Sequence, residues 1–211
     1  MPDIALPMMI LAVAPANVAA AVLLAAVLLV AAVCDWRTSR VPNALTYPAI
    51  LLGLVFAVGV GWWQGGSGGA VAELSVTLFA IGLAIVPFVL IFAMGGLGGG
   101  DVKLMVALGA LSGDWRVVFA TMVYAFVIGA VMALTLVASR GLMRQTMHRV
   151  ATAALFGGLA AHEPPTAPGE KLEGGLEGGE VPFAVAIAIG GIVAALELLI
   201  GIQTPWAAFV G

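Results

Sequence analysis

Four stretches of the chain carry no charged side chain: residues 4–34, 41–72, 74–100 and 117–139, of 31, 32, 27 and 23 residues. Each exceeds the about 20 apolar residues that a helix needs to cross the hydrocarbon core. None shows the strict alternation of a barrel strand, and lipid offers backbone polar groups no partner but one another, so such runs predict helices. A further span from 181 to about 202 is interrupted only by Glu197. Residues 102–113 are shorter, since 12 residues rise only about 18 Å as a helix. The pattern predicts an all-α, polytopic membrane bundle of about six helices, roughly 10–34, 46–63, 72–94, 102–113, 116–138 and 182–202. The short fourth helix follows a glycine-rich loop.

Composition strengthens this reading. Of 211 residues, 63% are hydrophobic and 19 carry a formal charge, about a third of the usual charged fraction of a globular domain. No water-soluble fold buries that much apolar surface, which argues against a soluble enzyme and a disordered tail. A net charge of −3 argues against nucleic acid as a partner. Membrane lipid is the expected surrounding. The single cysteine, Cys34, forms neither an internal disulfide nor a four-ligand zinc site.

The basic residues then orient the bundle. With six crossings and the N-terminus outside, Arg37, Arg40, Lys103, Arg140, Arg144, Arg149 and Lys171 share the cytoplasmic side, and only Arg116 lies outside. The same bias supports the short fourth crossing, without which the 140–149 cluster would move outside. The chain begins Met-Pro-Asp with no basic residue, and its first apolar run is far longer than a signal-peptide core, so a retained anchor is expected. The expectation is one integral-membrane domain over 1–211. Segment 141–161, with Arg144, His148 and Arg149 among apolar residues, suits an interfacial helix. Segment 162–181, with five glutamates and repeated Gly-Gly pairs, suits a flexible acidic cytoplasmic loop.

The candidate chemistry sits at two inner membrane edges. One is Cys34-Asp35-Trp36-Arg37-Thr38-Ser39-Arg40-Val41-Pro42-Asn43-Ala44-Leu45-Thr46, and the other is Gly95-Gly96-Leu97-Gly98-Gly99-Gly100-Asp101-Val102-Lys103-Leu104. In each, an aspartate stands where an apolar run meets the cytoplasm, so topology gives Asp35 and Asp101 the same depth. Two carboxylates at close range cannot both ionise cheaply; they share a proton and supply a base and an acid together. One takes a proton from an attacking water while the other donates to the scissile carbonyl oxygen. Such chemistry requires neither a covalent nucleophile nor a metal or cofactor, and none is expected here. Glycines before Asp101, Gly98 and Gly100 among them, let backbone approach a neighbouring helix or a substrate strand.

The glycine run fits neither a phosphate loop, since Val102 and Leu104 flank Lys103, nor a dinucleotide fingerprint. An ordinary loop with Asp101 as N-cap of the next helix is the remaining alternative. Pro42-Asn43 reads as a turn with Asn43 as a cap. Arg37 and Lys103 either support the dyad or answer to topology alone. Glu197, costly within a span unless protonated or paired, lies either near the inter-helix cavity or close enough to the outer edge to reach water, and reads as structural. By the helix dipole, Asp101 at a helix start favours the anion and Asp35 at a helix end does not, which makes Asp101 the expected base and Asp35 the expected acid.

Gly98-Gly99-Gly100-Asp101 with Lys103 resembles the Gly-x-Gly-Asp-x-Lys signature of the prepilin peptidases. Asp35 with Arg37, Pro42, Asn43, Leu45 and Thr46 resembles their other aspartate segment, and Val181-Pro182-Phe183 before a glycine-containing span resembles their last helix. The resemblance implies an inner-membrane aspartic endopeptidase that removes the short basic leader of type IV prepilins, with Asp35 and Asp101 as its catalytic pair. The partner it implies is a prepilin with a basic leader and a hydrophobic helix. Larger members that also methylate the new N-terminus carry a domain with paired cysteines, so cleavage without N-methylation is expected. The small size resembles the peptidases of tight-adherence (Flp-type) pili. A small transporter or channel, which would survive neutralising Asp35, and a catalytically silent assembly scaffold are the alternatives. Which prepilin is cleaved and the oligomeric state are not legible in the sequence.

Overall fold

A computed structural model describes residues 15–38, 40–94, 97–139 and 182–200, and every regular element among them is a helix. The helices are α1 (Pro15–Thr38), α2 (Asn43–Ala93), α3 (Gly99–Ser112), α4 (Trp115–Ser139) and α5 (Phe183–Ile200). Four of them, α1, α2, α4 and α5, are long and apolar enough to cross a membrane. The all-helical membrane fold is therefore as predicted, and the arrangement is compatible with about six spans: α2 is long enough for two, which makes five, and the shorter α3 corresponds to the predicted short fourth crossing. Segments 141–161 and 162–181 lie outside the described residues. Residues Met1–Ile128 with Pro182–Gly211 form one compact unit and Gly129–Val181 another. Every site residue belongs to the first; of the second, the end of α4 at 129–139 is described.

Two predicted helices, 46–63 and 72–94, are joined in α2. Unbroken, its 51 residues would reach about 75 Å, more than twice the hydrocarbon thickness. The break comes at Gly65 (φ −149°, ψ 23°) and Gly66 (φ 60°, ψ −143°), the second a conformation open to glycine and strained for other residues. The chain folds back there: a Cβ on Gly61 would collide with the Gly69 backbone, and one on Gly69 with Gly61. Arms 43–64 and 67–93 thus form a helical hairpin whose closed end is sealed by backbone contact. Helix starts and ends also run past the apolar stretches, to Thr38 in α1 and back to Asn43 and Gly99 in α2 and α3. Hydropathy marks what lipid covers, whereas hydrogen bonding continues into polar residues.

Packing inside the bundle follows side-chain size. The first arm buries Thr46, Ala49, Gly53, Ala57 and Gly61, a stripe spaced three or four residues apart that allows close backbone approach. Leu51, Val55, Phe79, Val86 and Leu90 on the hairpin are each more than 60% exposed, the faces a bilayer would cover. Toward the open end the arms part and clasp α3. A Cβ on Gly53 would strike the backbone of Ala110 and Leu111, and one on Gly109 would lie 3.2 Å from Ala80 and Ile81 backbone atoms. Helix α3 also packs on α1 and α5, and its Leu104, Met105, Ala107, Leu108, Gly109, Ala110 and Leu111 are buried. Its 14 residues, rising about 21 Å, are a wedge between the hairpin arms. That role explains why the fourth helix is shorter than a lipid-facing span.

Helix α5 closes against α1, α3 and α4. A Cβ on Gly190 would lie 2.9 Å from Tyr124 Cβ, and one on Gly191 would lie 2.7 Å from Leu28 Cδ1 and 2.9 Å from Leu108 Cδ1. These glycines serve packing within the bundle. Farther along α5, Tyr124 Oη donates to Glu197 Oε1 at 2.7 Å, so Glu197 ties α5 to α4.

Candidate active site

Asp35 occupies the last turn of α1 and is 8% exposed. A buried carboxylate needs polar partners, and one comes from 149 residues away: the Ala184 N–H donates to Asp35 Oδ2 at 3.2 Å. Ala184 is the second residue of α5, where backbone N–H groups have no partner within their own helix. The Val-Pro-Phe-Ala entry to α5 has no Ser, Thr, Asp or Asn to cap it. Asp35 therefore fills the capping role from another helix. This contact was missed by sequence reading, and the uncapped helix start is the signal that could have found it.

Asp101 lies in the first turn of α3, whose N-cap is Gly98. It is thus the third helical residue, not the N-cap, which corrects the alternative reading of this loop. From there its carboxylate reaches back to the Gly98 N–H, half of a capping box, while the Asp101 N–H donates to Gly98 O at 3.1 Å. Asp101 precedes residues 102–113 and lies outside the four helices long enough to cross. Burial first, and then the charge of Asp35, push its carboxyl up to about 7, against the opposing pull of the Gly98 N–H. The structure thus brings the two predicted aspartates within electrostatic reach of each other, joining the ends of α1, α3 and α5.

The glycines allow this approach. A Cβ on Gly100 would lie 3.2 Å from Val41 Cβ and 3.4 Å from Val41 N, and one on Gly98 would lie 3.3 Å from Asp101 Oδ2. Val41 is itself buried, so α3 starts hard against the α1–α2 connection.

The supporting residues separate into two groups. Residues two apart on a helix point about 200° from each other, so Lys103 and Arg37 turn away from the aspartates they follow. Lys103 Nζ donates to Asn43 Oδ1 at 2.9 Å and lies 5.4 Å from the centre of the Tyr47 ring. Arg37 is exposed. Pro42, not Asn43, is the N-cap of α2, with no side-chain cap bond; its carbonyl accepts from Leu45 N at 3.0 Å. That frees the Asn43 side chain to bind Lys103 and fasten the start of α2 to the start of α3. Glu197 lies 13 residues past Ala184 along α5, about 20 Å away, and does not join the site.

No curated protein and no solved structure matches the chain. The family model of the type IV leader peptidase family matches residues 22–134, just over half of the sequence. Both aspartates, the glycine run, Asn43 and Lys103 lie inside the match, and α5 lies beyond it. With its all-helical membrane fold and two acids drawn together at the ends of three helices, the chain belongs to the type IV leader peptidase family, a family of peptidases.

Proposed function

We propose that this chain is an aspartic endopeptidase in which Asp35 and Asp101 form a water-activating dyad. The observation that carries the reading is the proximity of two carboxyl groups in different surroundings: Asp35 accepts the Ala184 N–H, and Asp101 is held up near 7 beside it. These features favour Asp35 as base and Asp101 as acid, the reverse of the order expected from each residue's own helix. Asp35 lies in the last turn of its own helix but meets the positive end of α5 through the Ala184 N–H, which favours its anion.

In the reaction, Asp35 takes a proton from water as its oxygen attacks the scissile carbonyl, and Asp101 donates its proton to the carbonyl oxygen. The tetrahedral diol then collapses. The C–N bond breaks, the amine nitrogen takes the proton held by Asp35, and a diol hydroxyl returns its proton to Asp101.

The substrate proposed is a type IV prepilin of the Flp kind, with a basic leader and a hydrophobic helix that lies beside the bundle. With six crossings and the N-terminus outside, seven of the eight basic residues fall on one side, which supports a multi-pass protein of the bacterial inner membrane with the dyad at the cytoplasmic face. Cleavage without N-methylation fits a sequence holding one cysteine. Incubating the reconstituted protein with such a prepilin tests the assignment. Asp35→Asn and Asp101→Asn are each expected to slow leader removal by about 10²- to 10⁴-fold. Processing by both variants at the wild-type rate would overturn it.

A further inference from the structure

Phe183 opens α5, immediately before Ala184. Its ring lies 6.3 Å from the centre of Phe88 on the second hairpin arm and 6.0 Å from Phe126 on α4, and Phe88 and Phe126 are 5.6 Å apart. The rings are tilted by 32° to 51°, within the range of favourable aromatic contacts. Phe88 is fully buried, so this triangle is anchored in the core of the bundle. The adjoining turn is closed by Val185 N donating to Pro182 O at 3.0 Å. With no capping side chain of its own, the start of α5 is fixed by rings on one side and by Asp35 on the other.

We propose that Phe183 is a positioning residue for the dyad: clamped between Phe88 and Phe126, it holds the first turn of α5 so that the Ala184 N–H stays on the Asp35 carboxylate. The inference rests on the reading of Asp35 and Asp101 as the catalytic pair. Among the described residues, the charged groups at this end are Asp35, Arg37, Arg40, Asp101 and Lys103. Both arginines are exposed, and Lys103 is bound to Asn43. Asp35 is therefore the charge that acts most directly on Asp101. If the turn loosens, the Asp35 carboxylate is no longer held in place by the Ala184 N–H, and its push on Asp101 weakens as the two move apart.

The test uses the full chain in lipid nanodiscs with a prepilin bearing its basic leader and first helix. Phe183→Ala is expected to lower kcat by about ten- to a hundredfold with KM within about twofold. It is also expected to move the alkaline limb of the pH–rate profile to lower pH by at least about half a unit. A general loss of folded protein would lower the amplitude and leave the limb in place. Should Phe183→Ala fail to fold, Phe183→Leu keeps apolar volume and is expected to show the same two changes at smaller size. Wild-type kcat and an unmoved limb in a folded variant would overturn the inference. Asp35→Asn and Asp101→Asn, run alongside, separate the outcomes: their inactivity with an unaffected Phe183 variant rejects only the positioning role, whereas their activity rejects the dyad itself.

Discussion

Asp35 and Asp101 are the same side chain at opposite kinds of helix end, yet the folded chain treats them differently. Asp35 shares the first turn of α5, and Asp101 feels burial and its neighbour's charge more than the Gly98 N–H. The acid of the dyad works only while protonated, so with Asp101 near 7 activity is expected to fall as pH rises through about 7. A rate measured between pH 5 and 9 that climbs through this range would contradict the assignment of Asp101 as acid. Stability follows the same sign. A carboxyl raised from 3.8 to about 7 binds its proton more tightly in the folded state, so the folded protein loses stability as pH rises between those values. Asp101→Asn removes that penalty and is expected to raise Tm by a few degrees at pH 8 while activity is lost; thermal unfolding at pH 5 and pH 8 checks it. Lys103 and Asn43 act as one tie, so Lys103→Met, Asn43→Ala and the pair together are expected to lower kcat by similar factors. Multiplying losses in a double-mutant cycle would show that they act separately.

At the scale of elements, the short helix α3, which carries Asp101, the proposed acid, in its first turn, sits between the arms of the α2 hairpin. Gly53 is its closest seat, because a Cβ there meets the Ala110 and Leu111 backbone, which cannot swing aside as a side chain can. Gly53→Leu is expected to cost about 1–3 kcal/mol and to displace α3, lowering both Tm and leader cleavage. Gly59→Leu, with open space around its Cβ, is the matched control and is expected to leave both near wild type. Much of this arrangement was legible in advance. Uncharged runs reveal where lipid surrounds a helix, and the glycine run before Asp101 marked a close approach. The hairpin was not, because the break at Gly65 and Gly66 has no charge to announce it. The stripe from Thr46 to Gly61 also escaped, since in lipid the buried face differs from the exposed one in side-chain size more than in polarity. Asn43 looked like a cap because its neighbourhood reads as a turn; the Pro42 carbonyl already closes that turn, and Asn43 is spent on Lys103.

For the molecule as a whole, the site is a meeting of three helix ends drawn from distant parts of the sequence. The aspartates could be chosen from local motifs because each is part of a distinctive string of residues. The contribution of α5 could not, since it comes through a backbone N–H, which every residue but proline possesses and no side chain advertises. Only the fold says which N–H faces Asp35. The family match ends at residue 134, before α5 begins, so the third helix end stands on the structure alone.

Whether the two acids act as a single unit is best measured by leader removal in wild type, Asp35→Asn, Asp101→Asn and the double variant, under single-turnover conditions in the same lipid. A shared-proton dyad loses its acid–base catalysis when either member is lost, so the double variant is expected to be no slower than the slower single one. Losses that multiply in the double variant, or a single variant retaining more than about a tenth of the wild-type rate, would contradict the dyad.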